Sequence, residues 1–280
     1  MRDRRMIVGL RLDRIPLEDL GEAASLAETA RLDFVLTGDP DALADEVVGH
    51  DALSIASYLM TKTTQIGLVA TVPLNWAPYN VARALASMDR LSGGRCGWWP
   101  VPGAPEGERN VAREAEHLDV VLQLFDSWDD DALLLDKAAS VFADRTKVRR
   151  IRHAGEHFTV DGPLNAPRPL QGHPVMFGPL SSGPDALVLQ TLPLDLKANP
   201  SRTLEQQMAA ASADDACGGC LLNPASLSDI AAFVRDTVPT LQAHGLLQTD
   251  YADGDFRTRL GLSRPANRFT SAASLTGAAA

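Results

Sequence analysis

Cys217 and Cys220 stand in the stretch "ACGGCLLNP", at the C-x-x-C spacing that can carry thiol–disulfide exchange or half of a zinc site. Zinc would need a second ligand pair, and no Cys or His pair at metal spacing follows, so no metal is expected. A redox pair of this kind opens a helix after a strand, whereas "CLL" reads as the strand itself, so the plainer reading is structural. The histidines give no acid/base pattern. His153 and His157 sit in a charged excursion, His117 is placed on the outward face of a long helix, and His50, His173 and His244 fall at element boundaries. No Ser-His-Asp or Cys-His arrangement and no paired carboxylates emerge, so no catalytic residue is assigned. Two features remain. Asp39 ends a strand just before Pro40, where a carboxylate can accept from a ligand N–H or simply shape a turn. In "RLSGGRCGWWPVPG" (Arg90 to Gly103) a Gly-Gly turn runs into a short apolar strand ending in Trp98 and Trp99. An indole has one donor and no acceptor.

The elements that must position these residues alternate. Strands are expected at Met6–Leu10, Asp33–Pro40, Gln65–Leu74 and Arg95–Val101. Helices are expected at Ile15–Leu32, His50–Thr63, Pro78–Leu91 and Glu106–Trp128, from apolar residues at helical spacing. The strands are continuous apolar runs separated by helices, which marks a parallel sheet with both faces covered. No Gly-x-Gly-x-x-Gly follows the first strand, so a β/α barrel is favoured over a dinucleotide-binding sheet. Residues 129–172 break the rhythm, with a small hairpin expected between Val148–Arg152 and His157–Val160. Strands at "HPVMFGPLSSG", "ALVLQTL" and "ACGGCLLNP" and a helix over Ser226–His244 complete the count. About seven strands can be found where a closed barrel has eight, so the barrel is expected to be incomplete. One domain over 1–269 and a disordered tail over 270–280 are expected.

Composition narrows the function. The 280 residues carry a net charge of −10, with 36 acidic and 26 basic side chains, which argues against nucleic acid or an anionic membrane as the main partner. Three cysteines give no disulfide framework and suit a reducing compartment. The N-terminal apolar run is too short for a signal peptide, and nothing approaches a membrane span, so the cytoplasm is expected.

The stretch "TTQIGLVATVPLNWAPYNVARALASMDRLSGGRCGWW" resembles the luciferase-like flavin monooxygenases, in the branch of nitrilotriacetate, EDTA and dibenzothiophene-sulfone monooxygenases. "ARLDFVLTGD", "LFDSWDDDALLLDKAASVFADRTKVRRIRHAGEHFTVDGPLNAPRPLQGHPV", "LQAHGLLQTDY" and "RPANRF" agree with it. The resemblance implies a TIM barrel with insertions. It implies a two-component enzyme that uses reduced FMN and O2 on a small organic substrate, the FMN coming from a separate flavin reductase. It also implies site residues. Asp39 matches an acidic position after strand two, and Thr71 matches a threonine beside the flavin ring. Asn75 and Trp76 stand where Ser-Thr-Thr is usual. Trp99 replaces an asparagine that faces the ring, and Ser181 and Ser182 match a Gly-Ser-Ser that grips the FMN phosphate. Leu180 replaces the glycine of that motif, and Val111 a phosphate-binding tyrosine. The span between "GPLSSG" and "ACGGCLLNP" is short for the family, so the chain is read as a shortened member. Its alternative role is a degenerate, non-catalytic flavin-binding or structural partner subunit. Strand edges and apolar helix faces left uncovered by a missing unit would require a homodimer or hetero-complex.

Overall fold

Seven parallel strands form one sheet, supplied by the chain in a β-α rhythm. The computed structural model describes residues 6–41, 50–179, 187, 189–194, 200–213 and 218–269. β1 (Ile7–Arg11), β2 (Phe34–Thr37), β3 (Gly67–Pro73) and β4 (Cys96–Val101) lie side by side. α1 (Leu20–Thr29), α2 (Ala52–Leu59) and α3 (Pro78–Leu91) connect them. Every residue of these four strands is buried, the consequence of covering both faces of a parallel sheet. α3 has the bounds read from the sequence, with Pro78 in its first turn, where no backbone N–H is needed. α4 (Val111–Phe125) starts later than the pattern implies. Asn110 caps it by accepting from the Arg113 amide, and Glu106–Glu108 form a separate 3-10 turn.

The excursion holds two hairpins. β5 (Leu133–Asp136) pairs antiparallel with β6 (Val141–Ala143), and β7 (His153–Ala154) with β8 (Thr159–Val160). The expected arm at Val148–Arg152 is not a strand. Its basic residues are instead drawn into ion pairs, Arg149 with Asp129 and Arg150 with Asp161, and Arg152 takes a left-handed φ of 49°.

β9 (Val175–Met176), β10 (Gln190–Leu194), α5 (Pro200–Ala213) and β11 (Gly219–Pro224) complete the sheet, in the order β10-β11-β1-β2-β3-β4-β9. The two ends of that order meet. Leu187 forms a parallel bridge with Phe177 and accepts from the Gly178 amide at 3.0 Å, while Gln190–Leu194 pair with β11. One stretch of chain thus reaches both ends of the sheet, through a single bridge at one of them, and among the described residues seven strands stand where a closed barrel of this type has eight. The expected helix over Ser226–His244 is α6 (Leu227–Ala232) and α7 (Val238–Ala243), joined by a π-helical turn at Phe233–Thr237 just before Pro239. The chain beyond α7 folds back onto the sheet. α8 (Phe256–Arg259) inserts Phe256 into the lumen beside Phe34 and Phe177, at centroid distances of 6.3 and 6.1 Å. The lumen is a packed core of Ile7, Phe34, Val69, Trp99, Phe177 and Leu221. Residues 270–280 lie outside the described residues. Among the described residues, no helix is long and apolar enough to cross a membrane.

Candidate active site at the barrel mouth

In β/α barrels chemistry gathers at the C-terminal strand ends. Arg11 ends β1 and is only 3% exposed. Its guanidinium meets Asp13 through Nε at 2.9 Å and Nη2 at 3.0 Å, Asp39 through Nη2 at 2.8 Å, and Asp41 through Nη1 at 2.7 Å. Burial works against the charge, but the hydrogen bonds and charges of Asp13 and Asp41 outweigh it and hold the guanidinium above its ordinary range. Asp39 thus serves Arg11, and its Oδ1 also accepts from the Asp41 amide at 2.9 Å.

Thr71 and Trp99 are register partners on β3 and β4. Both are buried, at 4% and 7% exposure. Gly38 follows β2 with φ 78°, and a Cβ there would lie 2.1 Å from Thr71 Oγ1, so only glycine permits this closeness. Trp99 lies parallel to Phe177, with 7° between the ring planes. Its indole also fills the space beside Gly178 (φ 89°), where a Cβ would fall 2.5 Å from Nε1. Asn75 is exposed on the β3–α3 loop beside Gly103. Trp76, 39% exposed, turns away to line an outer groove of about 830 Å3 between α2 and α3, with Ser57, Arg83, Met88 and Leu91. The structure therefore brings Thr71 and Trp99 together, gives Asp39 to Arg11, and leaves Asn75 on the rim. Ser181 and Ser182, with Leu180 and Cys217, lie outside the described residues.

Val111 is exposed at the first turn of α4. Arg109 is bound by Glu114 at 2.5 Å. Arg113 Nη1 donates to the Leu74 carbonyl at 3.0 Å, and its guanidinium lies 4.9 Å from the Phe158 ring centroid. His117 corrects an expectation. It is fully buried, not outward, and its Nε2 lies 3.0 Å from the Trp76 carbonyl. A carbonyl only accepts, so Nε2 carries a proton. Burial, with the nearby charge of Arg113, pushes its pKa down to about 4 against the pull of the Trp76 carbonyl. Sequence reasoning missed this residue and Arg11. The phase of α4 against its apolar face could have placed His117, while no signal marked Arg11 beyond its place at a strand end.

The family model described as luciferase-like monooxygenase matches residues 7–191. The chain belongs to this family. Dibenzothiophene-sulfone monooxygenase of Rhodococcus erythropolis is 41% identical over 143 residues, covering 46% of this chain and 32% of that one. One of the pristinamycin IIA synthase subunits of Streptomyces pristinaespiralis is 39% identical over 183 residues, 63% of this chain and 64% of that protein. The luciferase-like chain thus spans from about a third to just under two thirds of these relatives' length. EDTA monooxygenase from Chelativorans sp. BNC1 shares the fold, with a TM-score of 0.75 at 21% identity, over 93% of this chain and 99% of that structure.

Flavin is the group this family implies. The described mouth offers a hydroxyl at Thr71 and a flat indole backed by a parallel phenyl ring. Such a set suits a planar heteroaromatic group bound at the mouth, with the indole as its floor. Among the described residues no group of three or more His, Cys, Asp or Glu is placed to hold a metal ion.

Proposed function

We propose that this chain is the oxygenase component of a two-component monooxygenase that takes reduced FMN from a flavin reductase and acts with O2 on a small organic molecule. The Thr71–Trp99 register pair at the mouth carries this reading. When bound, the reduced flavin supplies the electrons that activate O2. The chain's own residues do the rest. Thr71 would present a hydroxyl to the bound group, Asn75 would offer an amide on the rim, and Ser181 and Ser182 would hold the phosphate. Trp99 and Phe177 wall the site against water, which would otherwise divert the reactive oxygen species. Asp39 acts through Arg11, fixing the start of the β2–α2 loop. The compartment is the cytoplasm.

Partners follow from the surface. The α2–α3 groove exposes Trp76 and Leu91, the latter at 78%, beside small serine and alanine side chains that allow close helix approach. A second copy, or a longer chain of the same family, covers it in a homodimer or hetero-complex.

One observation favours a second reading, a non-catalytic partner subunit. The Trp99 indole already fills the Gly178 cradle. Titration of the purified protein with FMN, oxidised and then reduced under argon, separates the two. Quenched flavin fluorescence and substrate-dependent O2 uptake with a reductase and NADH support the oxygenase. Unchanged flavin spectra at every concentration leave the partner subunit.

A further inference from the structure

The β3–α3 loop carries Asn75 and Trp76, and two of its backbone amides tie it to the end of the barrel. Leu74 N donates to the Val101 carbonyl at 3.1 Å, and Trp76 N to the Pro73 carbonyl at 3.3 Å. Two of its carbonyls turn toward α4, and two α4 side chains meet them. Arg113 takes the Leu74 carbonyl and His117 the Trp76 carbonyl, each at 3.0 Å. Residues four apart share one helix face, so one surface of α4 grips two points of the loop spaced two residues apart. Phe158, in the turn between β7 and β8, braces that grip from the other side. The Arg113 guanidinium lies over its ring, and the His117 imidazole meets it edge-on at a 5.7 Å centroid distance. Phe158 is in turn anchored through its amide to Glu116 on α4, at 2.9 Å.

We propose that Arg113 and His117 are positioning residues that set the β3–α3 loop against the barrel mouth, so that the presentation of Asn75 at the rim depends on them. The idea rests, for its effect on ligand binding, on the flavin reading above. Its physical basis does not. A buried imidazole with an N–H committed to a backbone carbonyl is a fixed strut, and removing it takes this donor from the carbonyl. The excursion thereby gains a role, since Phe158 holds both struts in place.

Two variants test it. His117→Phe keeps the ring volume and removes the donor, while His117→Gln returns an N–H at similar reach. In the ligand-free protein, amide exchange across residues 74–77 is expected to rise at least tenfold in His117→Phe and to return toward the wild-type rate in His117→Gln. Exchange in β1 stays unchanged. With FMN bound, the dissociation constant and the KM are expected to rise at least fivefold at constant kcat, a split that a general loss of stability does not produce. Arg113→Met is the second probe should His117→Phe fail to fold, and it predicts the same loop-limited exchange. Wild-type exchange rates over 74–77 in both foldable variants overturn the proposal, as does faster exchange with FMN affinity unaltered. Should the wild-type chain bind no FMN, the oxygenase reading fails while the exchange data still decide the clamp.

Discussion

The Trp99 indole and the Phe177 ring lie parallel, their centroids 6.5 Å apart, at the boundary between the filled lumen and the open mouth. This pair decides how deep any ligand can go. Trp99→Ala is expected to cost about 3–5 kcal/mol of unfolding free energy, the usual range for emptying a buried aromatic site. Urea unfolding measures it. A loss below about 1 kcal/mol would mean that the indole is not packed against its neighbours.

Gly178 is the indole's seat. Gly178→Ala places a Cβ 2.5 Å from Trp99 Nε1 at a φ that disfavours side chains. The expected result is a displaced indole, read as a changed near-ultraviolet circular dichroism signal, with a stability loss of about 1–3 kcal/mol. An unaltered spectrum would count against the contact.

His117 predicts a pH dependence. Its folded pKa of about 4 lies below its ordinary 6.5, so the unfolded chain takes up a proton first as pH falls. Stability from this group is complete above about pH 6.5 and declines as the pH drops toward 4. The total is on the order of 3 kcal/mol. Unfolding free energies measured from neutral pH down to that folded pKa should show the slope, and His117→Phe should flatten it.

Arg11 holds three carboxylates at the end of β1, of which Asp13 is the most enclosed, at 9% exposure. Arg11→Met removes the cation on which they converge. An expected loss of about 3–5 kcal/mol follows from stranding a buried charge. Chemical denaturation tests it, and a stabilised variant would show that the cluster is a net burden on the fold.

Leu91 is 78% exposed at the end of α3, on the α2–α3 groove. Leu91→Glu should shift multi-angle light scattering from a dimer toward a monomer without lowering Tm. A wild-type monomer at high micromolar concentration, with no partner present, would remove this surface from the assembly.

Much of this fold is legible in the sequence because parallel strands buried on both faces leave uninterrupted apolar runs. "GLVATVP" and "CGWWPV" announce themselves, and Pro78 and the Gly93-Gly94 turn bracket α3. The β5–β6 hairpin is hidden for the opposite reason. Leu134, Leu135 and Phe142 are exposed, so they follow no inward pattern. The Leu187–Phe177 bridge is hidden because a single bridge leaves no periodic trace. At the site, strand ends and resemblance lead to Thr71 and Trp99. They do not lead to Arg11, since an ion-pair partner 28 residues away has no signature along the chain. His117 is misplaced because a histidine on a helix reads as solvated by residue type, although its phase with Val121 and Leu124 puts it on the buried face.

Phe256 enters the barrel from α8, far along the chain from the strands whose lumen it fills. During synthesis β1 to β4 leave the ribosome well before that phenyl ring is available. The lumen therefore reaches its full packing only after the C-terminal part of the chain has been made.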